Sequence, residues 1–185
     1  MKGLQNELSL NQFTRDTLVF NGLLGVLLVG TLRWNAEIWV NDYPPDIKEK
    51  FGPISPKAKK QATLVAIPFF FIMIGGIIWS NLKLKQKNEG QLSISAAFIN
   101  AFALIFTGWF LDLTLLDLLM FVRHTPDWVI LPGTEDMAGY DDYMFHLKAH
   151  TKALPMLTIA ALVLALFTAS RPHFLKRSSA KIAID

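Results

Sequence analysis

Residues 93–122 read SISAAFINAFALIFTGWFLDLTLLDLLMFV. This run exceeds the roughly 20 apolar residues that a helix needs to cross a bilayer. It also carries two carboxylates, Asp112 and Asp117, in its second half. Ionised groups at such depth cost several kcal/mol unless they are paired or hydrated, so they mark a site by default. The stretch therefore fixes both the class of fold and the place to look for chemistry.

Three more apolar runs flank it, giving expected spans at 17–40, 61–82, 93–122 and 142–170. The expected fold is an all-α integral membrane protein. It is a four-transmembrane-helix bundle forming a single membrane domain over 1–185, with two longer loops on one face. Composition agrees: 52% of residues are hydrophobic and 18% charged, against about 45–50% and about 25% in soluble domains. The net charge of +3 is spread over loops and tails. That suits anionic headgroups and is not the dense basic stripe of a nucleic-acid binder. With no cysteine in the chain, disulfides, thiolate nucleophiles and Cys-ligated metal centres are excluded. The leader MKGLQNELSLNQFTRD carries Glu7 and Asp16 and lacks the pattern of a signal peptide, so the first run is expected to stay in the membrane.

Within the first span, Gly22, Gly25 and Gly30 offer notches for a neighbouring helix. Asp16 is placed as a helix cap. Arg33 and Glu37 are spaced i,i+4 and would share one helical face. The pair Pro44–Pro45 stops this helix, and Asp46 to Phe51 is read as a short helix ended by Gly52. Ser55–Pro56 is a start signal for the second span, which holds Pro68 and Gly75–Gly76 but no ionisable group. Beyond Arg123 and His124 lies an acidic loop of about twenty residues, and loops of that length usually have a task. The fourth helix is expected to begin near Asp141, to contain His146, His150 and Pro155, and to end at Pro172 and a basic tail of Arg171, Lys176, Arg177 and Lys181.

Four spans put both termini on one side, and the acidic long loop favours placing them in the cytoplasm. In that topology the first and third spans run parallel. At about 1.5 Å per residue, Arg33, Glu37 and Asp112 reach a common depth. Asp117, His124, His146 and His150 fall toward the same face. These residues are expected to form one polar pocket, roofed by the loops 42–55 and 125–140, while the opposite half of the bilayer contributes only Asn21, Asn100 and a few hydroxyls. Arg33 is expected to form an ion pair with Asp112 or Glu37 or, with its partner, to line the ligand pocket. Five residues apart, Asp112 and Asp117 would lie about 140° apart on an α-helix and so could not face one ligand together. His146 and His150 share a face at a spacing that suits a divalent metal, with His124 nearby. The plainer reading is two interfacial histidines on a solvated face.

The functional expectation is an intramembrane pocket, with Arg33, Glu37, Asp112 and Asp117 as ligand-binding residues. It would bind a small polar ligand, a metal or a cofactor headgroup, in the setting of a membrane enzyme or a binding protein. Two alternatives are proton or small-solute transport by a homo-oligomer, and an assembly subunit of a membrane complex packed through its glycines. The lipid bilayer is the expected partner, and nucleic acid is not.

Overall fold

The computed structural model describes Leu4 and residues 7–170. The basic tail from Arg171 onward lies outside the described residues. The described chain is helical throughout, in the order α1 (Leu10–Trp34), a 3₁₀ segment (Ala36–Asp42), α2 (Pro45–Phe51), α3 (Pro56–Lys87), α4 (Ile94–His124) and α5 (Tyr143–Thr168). The helices α1, α3, α4 and α5 are each long and apolar enough to cross a bilayer. α4 packs most extensively on α5, then on α1 and α3.

Three starts follow their sequence signals. Ser55 Oγ accepts from Ala58 N at 3.2 Å with Pro56 at the first position of α3, and Ser93 Oγ accepts from Ala96 N at 3.2 Å at the start of α4. Asp142, one residue beyond the expected Asp141, caps α5 by accepting from Phe145 N at 3.0 Å. These bonds satisfy N–H groups that a helix leaves open at its first turn.

The first helix departs from expectation at both ends. It begins at Leu10, so Asp16 lies inside it and is no cap. It ends at Trp34, where Asn35 turns extended (φ −160°, ψ 99°) and its side chain accepts from Glu37 N. Arg33 and Glu37 thus belong to different elements and do not share a helical face.

Two long helices change hydrogen-bond register. α3 passes through a π-turn at Phe71–Gly75, shortly after Pro68. α4 is α-helical to Leu111 and then π-helical from Asp112 to His124, closed by Thr125 N donating to Met120 O at 2.9 Å. The Asp112 N–H still reaches Gly108 O, four residues back, and the closing Thr125 bond spans five, the π pattern.

The helices come closest at Gly76 and Gly108. A Cβ at Gly76 would lie 2.9 Å from the Phe20 ring, and one at Gly108 would lie 3.2 Å from Asn21 Oδ1. Of the glycines expected to be notches, Gly76 is closely approached, while Gly22, Gly25, Gly30 and Gly75 have no atom that their Cβ would meet within 4 Å.

Three apolar layers stack along the bundle. The middle one gathers Phe20, Leu24, Ile77, Ala101, Ile105 and Ala161. At one end Leu84, Leu92, Ala96, Ala97 and Ala165 form a smaller layer. At the other end the two long loops share a core of Val40, Tyr43, Ile47, Phe121, Val129, Leu131 and Tyr140. Polar contacts lock this cap. Tyr43 OH donates to Val129 O at 2.7 Å, Leu131 N donates to Tyr140 OH at 2.9 Å, and Gly139 N donates to Asp46 Oδ2 at 3.0 Å. Ile47 is fully buried, so α2 turns its apolar face into the cap core.

Candidate functional site

Below the cap, α1, α3, α4 and α5 surround two adjacent hollows with a common stretch of wall, the two halves of the candidate cavity. The half nearer the cap has a volume of about 390 Å³, and Asp42, Asp112, Asp117, His146 and His150 lie in its wall. The deeper half measures about 360 Å³ and is apolar, running past Leu28, Leu24 and Phe20 of α1. Leu28, Phe69, Asp112, Leu116, Ala149 and His150 border both halves. Each half falls in the range of roughly 300–1,000 Å³ occupied by small-molecule sites.

At the junction one imidazole bridges two carboxylates. His150 Nε2 lies 3.3 Å from Asp112 Oδ2, and its Nδ1 lies 3.3 Å from Asp117 Oδ2 and 3.2 Å from the carbonyl of His146. His146 Nδ1 is 3.0 Å from the same Asp117 oxygen. With acceptors on both sides, the His150 ring satisfies them all only when each nitrogen carries a proton.

This arrangement depends on the π-helix. In an α-helix Asp112 and Asp117 would diverge by about 140°. In a π-turn the backbone bond itself joins residues five apart, which brings them to the same side of the helix, and both carboxylates reach one histidine. The expectation that they must face different ways is therefore corrected. α5 supplies the matching pair: the i,i+4 spacing of His146 and His150 puts both rings toward α4.

Asp42, which the sequence did not single out, joins the set from the end of the 3₁₀ segment. One side of it stays open to solvent. Its carboxyl is nevertheless pushed above the usual carboxylate range, first by loss of water around it and then by the negative charges of Asp117 and Asp112. Lys48 and His146 oppose this shift; the Lys48 ammonium donates to Asn41 O at 3.1 Å and sits 5.9 Å from the centre of the Phe145 ring. Behind Asp42, burial raises the Tyr43 phenol well above its ordinary value, which keeps it a protonated donor to Val129. The Phe121 ring stands 5.0 Å from both Tyr43 and His146, joining the cap core to the site. Trp109 donates from Nε1 to His150 O at 3.1 Å and borders the apolar half.

Two buried polar atoms in this region lack a partner. His146 is only 4% exposed, and its Nε2 has no hydrogen bond. Asn21 donates to Thr107 Oγ1 at 3.2 Å, while its own Oδ1 accepts nothing. Buried groups of this kind are uncommon and call for an explanation.

Other expected members go elsewhere. Arg33 is exposed and lies 5.8 Å from the centre of the Trp128 ring, not against Asp112. Glu37 accepts from Ser55 N at 2.5 Å and Ser55 Oγ at 3.0 Å, fastening the 3₁₀ segment to the start of α3. His124 is exposed at the end of α4 and does not join His146 and His150. Among the described residues, no three His, Asp or Glu side chains are disposed to hold a metal ion. Of the roof, the first loop supplies Asn41, Asp42 and Tyr43 to the cavity wall, and the second packs behind them.

The opposite end of the bundle is more polar than its sequence suggested. Asp16, 2% exposed, accepts from Lys83 Nζ at 2.7 Å, Ser80 Oγ at 2.8 Å and Gln12 Nε2 at 3.2 Å. Asn100 links Ser80 to Asn81, and Asn81 donates to Thr168 Oγ1 at 2.8 Å. The chain of contacts ties all four long helices together, and its members find partners in one another, as a structural network requires.

Comparison of the chain with protein-family models, curated proteins and solved structures finds no match.

Proposed function

We propose that this is a multi-pass integral membrane protein whose Asp/His pocket binds a small cationic ligand near one membrane face. The outer surface of the long helices supports the membrane setting. Leu18, Val26, Ile67, Phe71, Met156 and Phe167 are all more than two-thirds exposed, a distribution suited to lipid and costly in water. One observation carries the binding reading: His150 bridges Asp112 and Asp117 inside a cavity that Asp42 also faces. Two carboxylates meet one imidazolium and a third, Asp42, lines the same half, which leaves negative charge in a partly dry space. A cation entering there recovers Coulomb energy that water would screen.

Binding is favoured over transport because the apolar middle layer, with Phe20, Leu24 and Ile105, separates this pocket from the polar network at the other end. The test is titration of the purified protein with butylammonium and, separately, butyrate. The cation should bind and the anion should not. Asp112→Asn and Asp117→Asn should each weaken the cation at least tenfold, with the melting temperature changed by only a few degrees. Equal binding of the two ions, or indifference to both substitutions, would overturn the reading.

A further inference from the structure

The cavity is larger than a small cation needs, and its two halves differ in chemistry. The cap-side half carries the carboxylates, while the deeper half is walled by apolar side chains of all four long helices, among them Leu24, Met73, Ile105 and Leu157. Along α1 the deeper half runs from Phe20 to Leu28, a length of about 12 Å at helical rise. Gly25 lies in that wall, and no neighbouring atom would meet a Cβ built on it. Leu111 and Leu115 border the same half and are 36% and 49% exposed, so the cavity is reached from the side of the bundle.

We propose that the occupant is an amphiphile with a protonated amine at one end and a hydrocarbon chain at the other, taken in sideways from the bilayer. The amine sits among Asp42, Asp112 and Asp117, and the chain fills the space beside Gly25. This inference rests on the binding role of the polar half. Charge selects the head: three carboxylates suit an ammonium and repel a carboxylate or phosphate. An ammonium group also offers three N–H donors. The chain gains little free energy on moving from lipid to an apolar wall, since both are hydrocarbon. Its fit is therefore a matter of space, and filling that space is the discriminating perturbation.

The test uses the full-length protein in nanodiscs, with native mass spectrometry counting adducts of dodecylammonium, dodecanol, dodecanoate and butylammonium. Dodecylammonium should bind at one site, and the alcohol and the carboxylate should not. Gly25→Leu should weaken dodecylammonium at least tenfold and leave butylammonium unchanged. Gly30→Leu, at an exposed position outside the cavity wall, should leave both unchanged. If Gly25→Leu spares dodecylammonium, the chain lies elsewhere and the amphiphile is overturned while the pocket stands. Equal binding of dodecanol would overturn the choice of an amine. Failure of butylammonium to bind the unaltered protein would remove the pocket itself.

Discussion

Asp42 shows how one side chain can serve a site at the expense of the fold. Its folded-state pKa lies above the unfolded one, because water is lost around it and Asp117 and Asp112 face it. The folded chain then holds that proton more tightly. The associated stability is present below the ordinary carboxylate pKa and is lost as pH rises through the raised one. Asp42→Asn should raise the melting temperature at pH 7, and the advantage should vanish as pH falls through the carboxylate range. The same variant should bind butylammonium more weakly, as a stability–function trade would have it. Thermal melts at stepped pH check the first part; a flat difference across pH would refute it. Asp16 is the opposite case, because its partners are already in place. Asp16→Ala should destabilise the protein by about 3 kcal/mol, the low end for breaking a buried pair, since Lys83 is 21% exposed. Denaturant unfolding measures this, and no binding change should accompany it. Sequence alone marked Asp112, Asp117, His146 and His150, because charge in an apolar run and i,i+4 spacing are both visible there. Asp42 was not legible: beside two prolines it reads as ordinary loop polarity. Asp16 was misplaced for a related reason. It stands at the edge of the apolar run, but α1 starts ahead of it at Leu10, and Lys83 comes to it from α3.

At the scale of elements, the change of register in α4 decides whether there is a site. Apolar periodicity predicts that a helix is present, not whether its N–H groups reach back four residues or five, so the π-segment left no trace in the sequence pattern. Arg33 and Glu37 illustrate the same limit. Their spacing implied a shared face, and a single extended residue, Asn35, separates them. The π-register makes an unusual demand that can be tested. Thr114 lies between the two aspartates, lines neither half of the cavity, and its hydroxyl only returns to Phe110 O at 2.7 Å. Deleting Thr114 shortens the Asp–Asp spacing from five to four, and an α-turn would then again place both carboxylates on one face. Butylammonium affinity should stay within about threefold of the unaltered protein. Inserting an alanine after Thr114 makes the spacing six, which suits neither register, and affinity should fall more than tenfold. If deletion and insertion are equally harmful, the facing of the carboxylates does not depend on helical register.

Over the whole molecule, polar chemistry collects at two poles with apolar packing between them. At one pole the cap closes on itself through the Asp46–Gly139 and Tyr43–Val129 bonds and presents the Asp/His pocket beneath. At the other, the Asp16–Lys83 network and Lys85 near the end of α3, which donates to Thr168 O, hold the helix ends. Such polarity suits a bundle seated across a bilayer, and the acidic loop of the cap is the reason to propose that the cap faces outward and the opposite pole faces the cytoplasm. The chain lacks cysteine, so single introduced thiols report their compartment without background. Glu49→Cys and Glu135→Cys lie on the two loops of the cap, and Gln86→Cys lies in the turn at the far pole; all three side chains are exposed. In intact cells a membrane-impermeant maleimide should label the first two and spare the third, and lysis should expose the third. Labelling of Gln86→Cys alone before lysis would invert the orientation but keep the architecture. Labelling of Glu49→Cys and Gln86→Cys from the same side would show that α3 does not cross. The pocket would then lie in a different setting, and its occupant could not arrive through lipid.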